Sequence, residues 1–246
     1  MLSRRFSSAA LAACVLVCPL ATSAAVSDVS VVHVDAEIDG VMVHRIDTAI
    51  RAANTEKASA VILVIDTPGG DVWAAEEIRA TLLASDVPTV ALVQGGAYSA
   101  GSLIALSCHR IYMTPGSVRG ASTPVYGDGS AAPKHISAMA KTFAATAEAR
   151  GRRGDVARAM VDPAVVIEGV TERGSIVTLT AKEAQAVGYT DGIVGDLAGV
   201  VSAEQLEGGV LRHHTTSLGA RLLSASMSTG GAIFLLTIGL LGLSWT

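Results

Sequence analysis

Cysteine is scarce in this chain and concentrated at one end. Cys14 and Cys18 fall in the first 25 residues, which leaves Cys108 alone in the body of a 246-residue sequence. A single cysteine cannot build an intramolecular disulfide framework. It precedes a predicted strand and reads as a small core residue rather than a nucleophile. Aromatic residues make up only 4% of the chain, the net charge is −4, and no block of like charges occurs. No basic stripe interleaved with aromatics is present, which argues against nucleic-acid binding. No H-x-x-x-H or H-E-x-x-H spacing occurs, so a metal centre has no support and no cofactor is expected. No internal repeat at a fixed period is found.

Long hydrophobic runs are confined to the two ends. Met1 to Ala25 has a basic start (Arg4, Arg5), an apolar stretch from Ala9 to Leu20, and the small residues Thr22-Ser-Ala-Ala25. This is the three-part layout of a secretory signal peptide, with cleavage after Ala24 or Ala25. At the other end, residues 229–246 carry no charge. The 16 residues from Gly230 to Trp245 span roughly 24 Å as a helix, against a bilayer core of about 30 Å. Trp245 is a residue favoured at the membrane interface. Residues 230–246 are therefore expected to be a transmembrane anchor, the first part of a longer membrane region. Residues 197–229, mixed and polar, read as its linker. The body of the protein, residues 26–196, would then face the outside of the cytoplasmic membrane.

Within that body strands and helices alternate. Val29–Ile38 reads as a strand, Val41–Ala53 as a helix, and the continuous apolar run Ala60–Ile65 as a strand covered on both faces. Asp71–Ala84 reads as a helix with Asp71 at its start. Thr89–Val93 is the next buried strand, Ser99–Leu106 a short helix, and His109–Met113 a strand. Tyr126–Pro133 is rich in Gly, Ser, Ala and Asp, a loop signal, and Lys134–Arg150 is a longer helix. Thr180-Ala-Lys-Glu183 has the form of a capping box. The alternation defines an α/β domain with crossover connections.

Two turns carry chemistry. Ser99 lies at the junction of an apolar strand and a helix, and Asp66-Thr-Pro-Gly-Gly70 makes another sharp strand-to-helix turn. A serine at a helix start, opposite exposed glycine N–H groups, is how a chain presents a nucleophile to an oxyanion hole. A serine needs a base. None of the six histidines (33, 44, 109, 135, 213 and 214) has a compelling partner pattern, and His213-His214 reads as a solvated pair in the linker. Lysine is the alternative base, provided burial favours the free amine. Lys57, Lys134, Lys141 and Lys182 are the candidates, and spacing alone does not single out Lys134.

The stretch from Val31 to Val194 resembles the NfeD-type membrane-bound serine proteases of the Clp protease/crotonase superfamily. The likeness rests on Asp66-Thr-Pro-Gly-Gly70, Ala97-Tyr-Ser-Ala-Gly101, Gly116 to Val125, Lys134, Arg150-Gly-Arg152, Thr180-Ala-Lys-Glu-Ala184 and Gly188-Tyr-Thr-Asp191. It implies a spiral of ββα units and a serine endopeptidase working by a Ser–Lys dyad. The nucleophile of the S-A-G motif falls on Ser99. The base falls on Lys134, which lies 17 residues before Gly151; Lys141 does not fit. The implied oxyanion hole falls on Gly69 and Gly70 with the N–H of Ala100, and Asp162 is a candidate orienting residue. The Clp protease proper places a histidine where Ser122 stands here, before Thr123-Pro124, which favours a dyad over a triad. The resemblance also implies a polypeptide substrate cleaved in hydrophobic segments of membrane proteins, a stomatin-like membrane partner, and a homo-oligomer.

Two rivals share this fold. A crotonase-type acyl-CoA enzyme would use the paired N–H groups to hold a thioester enolate, but a signal peptide removes the chain from acyl-CoA. A catalytically inactive membrane scaffold would keep the fold and bind partners, but would have no reason to retain both Ser99 and Lys134.

Overall fold

The computed structural model describes residues 28–125 and 131–214. The expected signal peptide (1–25) and membrane anchor (230–246) lie outside the described residues, and among those described no helix is long and apolar enough to cross a membrane.

One eight-stranded sheet organises the domain, with strand order β6-β5-β3-β2-β1-β8 and with β4 and β7 branching from β3. The first half of the chain runs β1 (Asp28–Val34), α1 (Gly40–Glu56), β2 (Ala60–Thr67), α2 (Val72–Leu83), β3 (Thr89–Tyr98) and α3 (Ala100–Ser107). The neighbours β1, β2 and β3 are parallel. Parallel pairing demands crossover helices, and helices on the faces bury the strands. In β2 this leaves Asp66 alone exposed among its residues, as the unbroken apolar run predicts.

Strand β3 extends five residues beyond the expected Val93 because it serves two partners. Val90–Val93 pair with β4 (Arg110–Met113), and Gly96–Tyr98 pair with β5 (Val118–Gly120). The switch falls at Gly95-Gly96, where the β2 register also shifts. A side chain on Gly95 would meet the Asp66 carboxylate, whose Oδ1 accepts the Gly96 N–H at 2.9 Å. This split carries the end of β3, and with it Ser99, onto a second group of strands.

The second half contains α4 (Pro133–Ala149), α5 (Gly154–Ala159), β6 (Thr178–Thr180), α6 (Ala181–Ala186), β7 (Gly192–Ile193), α7 (Leu197–Ala203) and β8 (Val210–His214). Helix α6 starts with the predicted capping box: Thr180 Oγ1 accepts the Glu183 N–H, and Glu183 accepts the Thr180 N–H. The short α5 and three-residue β5 have too few residues for a readable period.

Residues 197–214 differ from the expected linker. Strand β8 pairs in parallel with β1, and α7 places Val200 in the apolar layer over Val29, Val31, Ile62 and Leu92. The polar composition of this stretch reflects an edge strand with one covering helix, not free chain. His213 is exposed as expected, but it lies in a strand rather than a linker, and its ring stacks on His33 of β1, centroids 5.6 Å apart. The main core lies on the other face, between the sheet and α1 to α6. Cys108 sits in it, wholly buried, and burial pushes its thiol up to about 12. That environment suits an inert core residue.

Candidate active site

Ser99 follows the last residue of β3 and caps α3. Its φ is +50° with ψ −116°, a conformation that costs a residue with a Cβ on the order of 1–3 kcal/mol. Surrounding bonds hold it there. The Ser99 N–H donates to Gly120 O of β5 at 3.0 Å, and its carbonyl accepts from Ser102 N (3.0 Å) and Leu103 N (3.3 Å). The hydroxyl makes no capping bond to the helix it starts, and Ser99 lines the adjoining cleft.

The Asp66–Gly70 turn closes against it. Gly69 has φ +111°, and a Cβ there would stand 2.8 Å from Ser99 Cβ and 3.4 Å from Ser99 Oγ. Only glycine lets the two turns approach this closely. The Gly69 N–H donates to Thr67 Oγ1 at 3.2 Å, so it is engaged in shaping its own turn. Gly70 bridges to Ile38, through Ile38 N to Gly69 O and Asp71 N to Ile38 O, both 2.8 Å. Among the described residues, the N–H groups of Gly70 and Ala100 have no hydrogen-bond acceptor. Both flank Ser99: Ala100 as the first residue of α3, Gly70 as a wall of the adjoining cleft.

That cleft holds about 280 Å³ of empty space, part of it open to solvent. Its walls are apolar, formed by Val72, Ala75, Leu103, Pro124, Met139 and Phe143. Val72 of this wall is itself exposed, and Trp73, Tyr98 and Val125, each next in sequence to a lining residue, are exposed large apolar side chains.

Ser122 lies in the cleft wall, its Oγ donating to Gly120 O at 3.1 Å. It keeps the segment after β5 against the strand that holds Ser99. Asp162 does not come to the serine; its carboxylate accepts the Ala164 N–H at 2.9 Å and closes its own turn. The backbone beside it does support the cleft, since Met160 O accepts the Ser122 N–H (2.7 Å) and Val161 O accepts the Thr123 hydroxyl (2.8 Å). Lys134 is exposed in the first turn of α4, and among the described residues no hydrogen bond joins it to Ser99. Its helix nevertheless packs over the cleft through Met139 and Phe143. Lys134 lies five residues before Met139, roughly 7.5 Å along the helix axis.

His109 is no base for this site. Its Nδ1 faces Thr89 N (3.1 Å) and Thr89 Oγ1 (2.9 Å) at the far end of β3. The residue that composition and spacing did not single out is Arg119, fully buried in β5 beside Gly120. An arginine in a short run between glycines carries no local signal of burial.

Fold and turns together define an α/β protein with a serine set on a strand-to-helix elbow, facing a glycine turn. The chain belongs to the NfeD1b family: the model of the NfeD1b N-terminal domain matches residues 28–214. It is similar to the membrane protein NfeD1b of Bacillus subtilis (strain 168), 31% identical over 220 residues, covering 88% of this chain and 50% of that protein. It is also 31% identical over 142 residues to the membrane-bound protease PH1510 of Pyrococcus horikoshii, covering 54% of this chain and 32% of that protein. The chain thus spans half the length, or less, of these relatives. Among solved structures, the 1510-N membrane-bound stomatin-specific protease, a mutant in complex with a substrate peptide, matches with a TM-score of 0.70 at 24% identity. That match covers 81% of this chain and 97% of the other. A ClpP1 mutant from Listeria monocytogenes matches with a TM-score of 0.55 at 17% identity over 69% of this chain and 94% of the other. The fold is therefore a mixed α/β fold of the kind seen in these proteases.

Proposed function

We propose that this chain is a membrane-anchored serine endopeptidase with Ser99 as nucleophile and Lys134 as general base. The observation that carries the reading is the strained Ser99 elbow (φ +50°) against the Gly69–Gly70 turn. A chain has no packing reason to hold a serine so, and such strain collects where a side chain is presented for reaction.

In this reading the free amine of Lys134 takes the Ser99 proton as the oxygen attacks a peptide carbonyl. The N–H groups of Gly70 and Ala100 receive the developing oxyanion, each donor worth roughly 3–4 kcal/mol in comparable sites. Gly69 supports the hole by close approach, its own N–H being held by Thr67 Oγ1. The amine returns the proton to the leaving group, and water releases the acyl-enzyme with the same base. The apolar cleft and the Trp73 rim favour apolar peptide segments as substrate. Because Lys134 is exposed, the desolvation that a lysine base requires is supplied by bound substrate or a second subunit of a homo-oligomer. Residues 1–25 export the domain and 230–246 anchor it, with a stomatin-like membrane protein as substrate or partner.

The same exposure of Lys134 favours the second reading, a scaffold that keeps the fold and binds membrane partners without turnover. A peptidase assay on the wild type, Ser99→Ala and Lys134→Ala separates the two. Cleavage by the wild type and its loss in both variants is expected; equal rates in all three end the dyad.

A further inference from the structure

We propose that Arg119 is a positioning residue for Ser99: its guanidinium, bonded to the first turn of α3, holds the serine in the reactive elbow. The proposal rests on the reading of Ser99 as the nucleophile.

Arg119 is fully buried, yet among the described residues no carboxylate pairs with it. Its acceptors are neutral. One terminal nitrogen donates to Tyr189 O at 3.2 Å. The other donates to Ser102 O at 3.1 Å and lies 3.5 Å from Ser102 Oγ. The guanidinium carbon sits 5.5 Å from the centre of the Tyr189 ring, and Nε is buried without a partner. Burial lowers the group to about 10, so it remains charged at neutral pH. Arginine is almost never buried without a counter-charge, and an apolar side chain of similar volume would pack at lower cost. Retaining it here calls for something the cation does.

Its bonds converge on the serine. Ser102, which receives the guanidinium, donates its N–H to Ser99 O; Gly120, next to Arg119 in β5, accepts the Ser99 N–H. The pair Arg119-Gly120 therefore grips the start of α3 at two points, one on each side of the strained residue. Ser102 Oγ also donates to Met160 Sδ at 3.7 Å, and Met160 O accepts the Ser122 N–H of the cleft wall. One buried cation thus links the nucleophile helix, the strand beneath it and the segment that closes the cleft. Only the planar fork of arginine spans Ser102 and Tyr189 together; lysine, a point donor, reaches one or the other.

The test compares Arg119→Met and Arg119→Lys in the purified full chain, with Ile46→Val as a control. Ile46 is a buried residue of α1 remote from the cleft. Read out are the rate of Ser99 labelling by a fluorophosphonate, kcat and KM for an apolar peptide, and amide hydrogen exchange at Ser99, Ser102 and Leu103. The expectation for Arg119→Met is a fall of about ten- to a hundredfold in labelling and kcat. KM stays within about twofold, and exchange rises about tenfold at those three amides but not along β1 and β2. Arg119→Lys recovers part of the loss, while Ile46→Val leaves labelling and local exchange unchanged. Wild-type labelling in Arg119→Met, or exchange that rises evenly over the sheet, overturns the proposal. Where Arg119→Met does not fold, Arg119→Lys is read by the same criteria. A wild type that neither labels nor cleaves refutes the nucleophile instead, and the exchange pattern still decides whether Arg119 positions residue 99.

Discussion

Gly101 closes the S-A-G motif, and one contact explains why it is glycine. It is the second residue of α3 with an ordinary helical φ, so the backbone itself would accept alanine. A Cβ at this position would stand 2.4 Å from the γ-methyl of Thr67, with the next atoms at 3.8 and 3.9 Å. The methyl cannot swing aside, because Thr67 Oγ1 donates to Ala36 O at 2.6 Å and accepts the Gly69 N–H. Gly101→Ala therefore sets a helix-propensity gain of about 1 kcal/mol against an overpacking cost of about 1–3 kcal/mol. The net effect is a destabilisation of up to about 2 kcal/mol. Thr67→Ser keeps the hydroxyl and removes only the methyl, costing about 1 kcal/mol alone. In the double variant the added methyl fills the vacated space, so the cycle shows a favourable coupling of about 1–3 kcal/mol. Urea denaturation of the four proteins measures it. Ser99 labelling by a fluorophosphonate should drop in Gly101→Ala, where the Gly69 turn is pushed away from the serine, and recover in the double variant. Additivity within about 0.5 kcal/mol would refute the claim that this glycine exists for the approach of α3 to β2.

Other outcomes follow from the same structure. Asp71 caps α2 by accepting the Ala74 N–H at 3.0 Å, so Asp71→Ala should cost about 1 kcal/mol in denaturant melts; no change would remove the cap from the account. Trp73 is 65% exposed, so Trp73→Ala should leave stability within about 0.5 kcal/mol while raising KM for apolar peptides several-fold. An unchanged KM would show that substrate does not use this rim. Burial, then Arg150 and Arg152, hold His109 below its ordinary value. The unfolded chain therefore takes up a proton first as pH falls through the ordinary histidine range near 6.5. Stability should decline there and level off below the lowered folded value. Thermal melts across this range should show a flatter profile for His109→Gln; parallel profiles would exclude His109 as the source.

Much of the architecture was legible along the chain because its signals are local. The apolar run of β2, the Asp71 cap of α2 and the Thr180 capping box depend on neighbours within a few positions, and the structure reproduces them. The S-A-G and Pro-Gly-Gly turns were legible for the same reason: positive φ and close approach restrict residue type wherever they occur. Strands β5 and β8 were not, because a strand of three residues, or an edge strand with exposed side chains, is defined by its partner rather than its own pattern.

The sequence by itself determined the alternating α/β order and the sharp strand-to-helix turn that carries Ser99, since period, caps and glycine turns are properties of short stretches. Tertiary structure alone decided that 197–214 joins the sheet and that His213 stacks on His33. It also turned the Gly69 N–H to Thr67, left those of Gly70 and Ala100 without an acceptor among the described residues, and sealed Arg119 beneath the serine helix. Each of these joins residues far apart in the chain, and such contacts are chosen by packing and hydrogen-bond satisfaction across the whole core, which no local window contains.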